Sequence, residues 1–327
     1  MLRLPRFRYL APRSLDEAVR LLAEHGPQAM LVAGGTDVYP KMKRRQFGPS
    51  VLVGLARVPG LGRVEGDGAS GIAIGALSML SSIATDPMLR KHYPAIPEAA
   101  EVISTPPLRN MGTLGGNLCV DTRCTYYDQT YPWRASIDFC LKKDGDTCWV
   151  APGSPRCLAV SSSDLAPVMI ALGARYELLG PEGARAIEAE DFYRDDGSAY
   201  IAKKPGELLA RVRVGPAGGW RSTYAKLRRR GAFDFPVMGA AVAVRVGPND
   251  EIENARIVVG GIASAPVFME EASRVLAGKR PSETLIREAA ALTFRPAKAL
   301  DNTDLAPLYR KKMVPIFVER CLRKLLL

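Results

Sequence analysis

Leu31-Val32-Ala33-Gly34-Gly35-Thr36-Asp37 and Met111-Gly112-Thr113-Leu114-Gly115-Gly116-Asn117-Leu118 are the two stretches around which the rest of the chain can be arranged. Each joins apolar residues to a glycine pair. Adjacent glycines let a ligand approach the backbone closely, and consecutive free N–H groups make a nest for phosphate oxygens. Thr36, Thr113 and Asn117 can add side-chain hydrogen bonds. Neither stretch has the glycine spacing of a Rossmann or Walker loop. One such pair is ordinarily a tight turn; two of them facing one pyrophosphate would make a dinucleotide site.

Outward from the first stretch, Ser14 and Glu17 form a capping-box pattern, and Leu15, Ala18, Val19 and Leu22 follow at helical spacing. Gly26 stands at the C-terminal stop. The short apolar runs Ala29–Ala33 and Val51–Leu55 predict buried strands. Around the second stretch, Ile72–Ala76 predicts a strand, with Ser78 as cap of a following helix. Glu98–Ile103 predicts a helix ending before Pro106-Pro107. Asp164 is positioned to cap a helix through Ala171, Gly173 to end it, and Arg175–Leu179 to return as a strand.

The small-residue run Gly215–Gly219 is the candidate domain boundary. Beyond it, Tyr224–Arg228, Val237–Val246 and Ile252–Val259 predict a three-stranded antiparallel sheet. Helices are expected at Glu270–Leu276, Glu283–Leu292 and Leu305–Leu326, with Pro315 kinking or splitting the last. The expected units are residues 1–55, 56–214 with an inserted loop at about 119–158, and 217–327. The chain has no internal repeat.

Composition bounds the chemistry. In 327 residues, 47% hydrophobic and 24% charged side chains suit a soluble globular protein of two or three domains. No apolar run reaches the roughly 18–20 residues of a membrane helix, and Arg3, Arg6 and Arg8 interrupt any signal-peptide core. The expected compartment is the cytoplasm, with no membrane partner. The formal net charge of +11 reads as dispersed solvated charge, because no nucleic-acid-binding motif accompanies it. With only two histidines, His25 and His92, imidazole chemistry is not expected.

The cysteines are the sharper signal. Five of six, Cys119, Cys124, Cys140, Cys148 and Cys157, crowd one stretch, and Cys321 stands apart. In a cytosolic protein such crowding favours metal ligation over disulfides. Cys124, Cys140, Cys148 and Cys157 are separated by 15, 7 and 8 residues, without the close pairs of a zinc ribbon. Four thiolates on a long loop can surround an iron–sulfur cubane. Tyr126, Tyr127, Tyr131, Trp133, Phe139 and Trp149 put six aromatics among these 34 residues, against 7% chain-wide, so the loop is expected to build its own small core. Spacing alone leaves iron–sulfur, zinc and free thiols open.

The two glycine stretches, Ser163-Asp164-Leu165-Ala166-Pro167 with Ala171-Leu172-Gly173-Ala174, Tyr224-Ala225-Lys226, Phe233–Ala240 and the closing Tyr309–Leu322 resemble the medium, flavin-binding subunits of the xanthine oxidase family of molybdenum enzymes. The resemblance covers nearly the whole chain. The insertion, beginning Asn117-Leu118-Cys119-Val120-Asp121-Thr122-Arg123-Cys124, looks like that of the flavin subunits of 4-hydroxybenzoyl-CoA reductases. A periplasmic-type aldehyde oxidoreductase has a cluster-bearing flavin subunit too, with a loop less like this one.

The resemblance implies an α+β chain. A vanillyl-alcohol-oxidase/PCMH-type FAD fold in two subdomains would precede a C-terminal domain of a three-stranded sheet and helices. It implies FAD held by Val32, Ala33, Gly34, Gly35, Thr36 and Asp37 and by Thr113, Gly115, Gly116 and Asn117. Asp164 would contact the nucleotide portion, with Lys226 as a positive partner. A [4Fe–4S] cluster on Cys124, Cys140, Cys148 and Cys157 is implied likewise. Partner subunits would carry the molybdenum cofactor and two [2Fe–2S] clusters, in a dimer of heterotrimers. Electrons from ferredoxin would pass through the cluster and FAD towards molybdenum, where 4-hydroxybenzoyl-CoA loses its hydroxyl. The alternatives are a flavin subunit of an aldehyde or purine hydroxylase, and a zinc-stabilised, non-redox ligand-binding module.

Overall fold

A computed structural model describes residues 2–327. The N-terminal unit is a small parallel sheet of β1 (Arg8–Leu10), β2 (Ala29–Val32) and β3 (Val51–Gly54), in the order β1-β3-β2. The helix Leu15–His25 packs Ala18, Val19 and Leu22 beneath it. Its start follows from sequence: Ser14 Oγ accepts from Glu17 N at 3.1 Å, and Glu17 Oε2 accepts from Arg13 N at 2.7 Å.

The middle unit is a five-stranded sheet, β4 (Val64–Asp67), β5 (Gly71–Gly75), β6 (Arg175–Gly180), β7 (Gly183–Glu188) and β8 (Leu208–Val214). Its order is β4-β5-β8-β6-β7, every neighbour antiparallel. Helices Leu80–Thr85, Ala95–Glu101 and Leu165–Ala171 supply much of the core over it. Ser78 does not cap the helix after it. Met79 takes that position, and the Ser78 carbonyl instead receives Leu114 N at 2.9 Å. Pro106 opens a further short helix, Pro106–Arg109, because proline at the first helical position gives up no needed donor.

The C-terminal unit contains β9 (Trp220–Leu227), β10 (Met238–Val246), β11 (Ile252–Gly260) and β12 (Val267–Phe268). The sheet has four strands, not three: Val267 and Phe268 pair with Val259 and Val258. A two-residue strand carries too short an alternation to be read from sequence. The helix Glu283–Leu292 falls where expected. The last helix, Pro307–Leu326, runs through Pro315 without dividing. Its buried stripe of Arg310, Val314, Phe317, Val318, Cys321, Leu322 and Leu325 continues across the proline, and packing of that stripe outweighs one lost hydrogen bond. No helix among the described residues is long and apolar enough to cross a membrane.

Candidate functional site

The first glycine stretch leaves β2 and turns into the helix Val38–Lys43. Gly35 has φ of 70°, which favours glycine, and a Cβ there would overlap the Tyr39 ring. A Cβ on Gly34 would overlap the carbonyl oxygen of Met111. The two glycine loops, nearly eighty positions apart, therefore touch backbone to backbone. Within the described chain no acceptor engages the N–H groups of Gly34, Gly35, Thr36 and Asp37. Four neighbouring free donors form the kind of nest an oxyanion fills.

The second loop differs. Leu114 N donates to Ser78 O at 2.9 Å, Gly115 N to Ala76 O at 2.8 Å and Asn117 N to Thr113 O at 3.0 Å. Gly116 N donates to Thr113 Oγ1 at 3.1 Å, so Thr113 caps the short helix Leu114–Leu118. Its amides are spent on holding the loop in place, while Gly116 itself lies exposed. Asn117 Oδ1 accepts from Ser163 Oγ at 2.8 Å and Leu165 N at 3.1 Å. Ser163 Oγ in turn accepts from Ala166 N at 2.9 Å, so Asn117 and Ser163 together, rather than Asp164, cap the helix Leu165–Ala171.

Asp164 makes no side-chain cap. Its carboxylate turns into the interface with the C-terminal unit, accepting from Tyr224 Oη at 2.8 Å and Lys226 Nζ at 3.0 Å. Burial pushes the Asp164 carboxyl up from its usual range, against the pull of Lys226. Lys226 also donates to the carbonyls of Val102 at 3.1 Å and Asp234 at 2.8 Å. Both residues are buried, and they lock two units together.

The insertion folds against the first loop. Asp37 pairs with Arg123, which reaches Asp128 Oδ1 at 3.2 Å and lies 4.0 Å over the Phe235 ring. Lys41, on the helix after the first loop, meets Asp121 at 2.7 Å, and the other oxygen of Asp121 meets Lys142 Nζ at 2.7 Å. Asn302, from the C-terminal unit, holds the insertion at both ends: Thr125 N donates to its carbonyl at 3.0 Å, and its Nδ2 donates to Leu158 O at 2.6 Å. Sequence reading missed Lys41, Asp121, Arg123, Lys142 and Asn302 as site residues. The one available signal, five basic against five acidic residues between Cys119 and Leu158, covers Asp121, Arg123 and Lys142 and leaves Lys41 and Asn302 without any.

Cys124, Cys140, Cys148 and Cys157 line one pocket, with Tyr126, Tyr127, Leu141, Lys142 and Trp149 among its walls. All four are buried free thiols. Burial pushes the Cys124 thiol up to about 12 and raises that of Cys157. Among the described residues, no three His, Cys, Asp or Glu side chains are placed to hold a single metal ion, while the four cysteines share this one pocket. Cys119 lies outside the pocket, its carbonyl bonded by Tyr200 Oη at 3.1 Å, and Cys321 is buried in the last helix. The insertion builds its own small core, as expected, of Cys124, Tyr127, Cys140, Cys157 and Ala159 with Tyr126 and Val150 against it, but most of its aromatic rings stay out of it. Tyr127 is buried, but Tyr131, Trp133 and Trp149 are 49%, 39% and 37% exposed. Ion pairs and thiols fill the inner face and leave these rings outside; Arg134 is buried in their stead.

A family model described as the FAD binding domain in molybdopterin dehydrogenase matches residues 5–217. One described as the CO dehydrogenase flavoprotein C-terminal domain matches residues 222–325. The carbon monoxide dehydrogenase medium chain of Afipia carboxidovorans is 31% identical over 97% of this chain and 96% of the relative. The aldehyde oxidoreductase FAD-binding subunit PaoB of Escherichia coli is 32% identical over 78% of this chain and 81% of the relative. A crystal structure of Cu,Mo-CO dehydrogenase superposes with a TM-score of 0.80 at 29% identity, covering 99% of this chain and 98% of that one.

Proposed function

Because the chain belongs to the family of FAD-binding subunits of molybdopterin dehydrogenases, the flavin subunits of xanthine oxidase-type oxidoreductases, we propose that it relays electrons between FAD and a [4Fe–4S] cluster held in its insertion. The observation that carries the second half is the pocket ringed by Cys124, Cys140, Cys148 and Cys157. A cubane accepts four thiolates around a space of this kind, whereas zinc requires them to meet at one point.

In this reading the first two units form a PCMH-type FAD fold. The free amides of Gly34 to Asp37, with Val32, Ala33 and the Thr36 hydroxyl beside them, hold the pyrophosphate. Thr113, Gly115, Gly116 and Asn117 supply the opposing face, chiefly the open surface at Gly116. Asp164 and Lys226 act on the nucleotide side by fixing the helix and strand behind it. Bound there, FAD would exchange electrons one or two at a time and so join one-electron centres to two-electron chemistry. The chain's own task is to hold both groups at fixed positions and exclude water between them.

Substrate turnover belongs to a molybdenum-binding large subunit, with a small subunit carrying two [2Fe–2S] clusters, in a dimer of heterotrimers. We assign the reductive direction, with electrons from ferredoxin entering at the cluster and 4-hydroxybenzoyl-CoA losing its hydroxyl at molybdenum. The names of the relatives, carbon monoxide dehydrogenase and aldehyde oxidoreductase, favour a second reading in which substrate is oxidised and electrons leave through this subunit.

Anaerobic purification tests the cofactor reading. One FAD and four irons per chain, with broad absorbance near about 400 nm, are expected; zinc without iron would overturn it. Assay of the whole complex with an aromatic CoA thioester and reduced ferredoxin, against aldehydes or carbon monoxide with an oxidising dye, separates the two directions.

A further inference from the structure

Of the described residues lining the thiol pocket, Lys142 alone carries a charge. Its side chain is 6% exposed. Its ammonium is fixed by Asp121 Oδ1 at 2.7 Å, Thr122 Oγ1 at 2.8 Å and the Gly197 carbonyl at 2.6 Å, which uses all three donors. Tyr127 and Tyr200 stand with ring centroids 5.0 and 5.4 Å from it. Asp121 is shared with Lys41, which also lies 3.7 Å from Asp128, and Arg123 pairs with Asp128 and Asp37, so three cations meet three carboxylates and the Lys142 ammonium is the network's one charge at the wall of the thiol pocket.

Resting on the cluster reading above, we infer that Lys142 is the positioning residue that compensates the cluster's negative charge and sets its reduction potential. Four thiolates on a 2+ core carry a net charge near −2, and uptake of one electron makes it near −3. A fixed cation at the pocket wall stabilises the more negative state more strongly, and low local polarity strengthens the effect. Lys142 therefore holds the potential up. Through Asp121 and Lys41 the same network reaches the helix that follows the flavin loop, so cluster and flavin rest on one buried framework.

The test is a redox titration of anaerobically purified protein, with dithionite as electron source and the cluster followed by electron paramagnetic resonance. Lys142→Gln is expected to retain iron and shift the cluster to lower potential, with a smaller shift at the flavin, while Lys142→Arg stays near the parent value. Loss of iron in Lys142→Gln with retention in Lys142→Arg equally supports the compensating charge. An unchanged cluster potential in iron-replete Lys142→Gln would overturn the inference. So would equal shifts, or equal iron loss, in both variants, because shape and not charge would then be responsible. Absence of iron from the parent protein would instead remove the cluster reading itself.

Discussion

Lys41 and Asp121, 80 positions apart, form a buried ion pair with Nζ 2.7 Å from Oδ2. Lys41 follows the first glycine loop and Asp121 opens the insertion, so this pair joins that loop to the thiol side of the molecule. Burial lowers the Lys41 pKa, against the pull of Asp121 and Asp128. Deleting one partner of such a pair leaves the other charge buried and costs about 3–5 kcal/mol. Lys41→Met is expected to lose that much stability in a denaturant titration. A loss below about 1 kcal/mol, the range of exposed pairs, would show that the pair carries little of the junction.

The contact of Gly34 with Met111 predicts a different failure. Gly34→Ala forces the two loops apart, and overpacking of this kind costs about 1–3 kcal/mol. FAD content and melting temperature should fall together. Gly116→Val acts on the exposed face, where only Thr113 Oγ1 lies near. It should lower FAD content while the melting temperature of the flavin-free protein stays within about 2 °C. Full flavin content in Gly116→Val would show that the second loop does not face the ligand. Gly35→Val cannot serve this purpose, since Tyr39 and a positive φ oppose any side chain at Gly35 itself.

Two variants separate ligation from anchoring at the thiol pocket. Cys140→Ser removes a proposed ligand and should abolish the iron signal while leaving FAD bound. Asn302→Ala removes the grip on Leu158 and should lower iron content only partly, with a stability loss of about 1–3 kcal/mol for the unpaired carbonyl. Iron analysis and flavin absorbance on the same samples decide both. Unchanged iron in Cys140→Ser would remove that residue from the ligand set.

The sheet supplies a pH prediction. The Arg185 guanidinium, 2.6 and 2.8 Å from the two oxygens of Glu207, holds that carboxyl below its ordinary value of about 4.5. The folded state thus binds this proton more weakly than the unfolded chain. The resulting stability is present above about pH 4.5 and disappears as pH falls through the lowered value. Glu207→Gln should destabilise the protein at pH 7 and flatten its acid-side stability profile. Melting curves between pH 3 and pH 7 that keep the parent's slope in the variant would contradict this.

Local signals carried their information through to the fold. The helix Leu15–His25 begins at Ser14 because the cap is built from residues three apart, and Glu283–Leu292 follows Ser282 for the same reason. Where a long-range partner competed, local reading failed. Asp164 has the chemistry of a helix cap, but Lys226 and Tyr224 claim its carboxylate, and the cap passes to the neighbouring Ser163 and the distant Asn117. Pro315 has the chemistry of a helix breaker, yet the apolar stripe on either side keeps the helix whole.

By itself the sequence determined the chemistry available: two glycine loops able to admit a phosphate, four spaced thiols, and almost no histidine. These follow from residue type and short spacing, which need no partner. Only the tertiary structure decided that the loops meet at Gly34 and Met111, and that the first offers free amides while the second spends its own. It also decided that the thiols surround one pocket beside a buried lysine. Each of those facts depends on groups far apart in the chain, and no local pattern records which distant donor a carbonyl or carboxylate will meet.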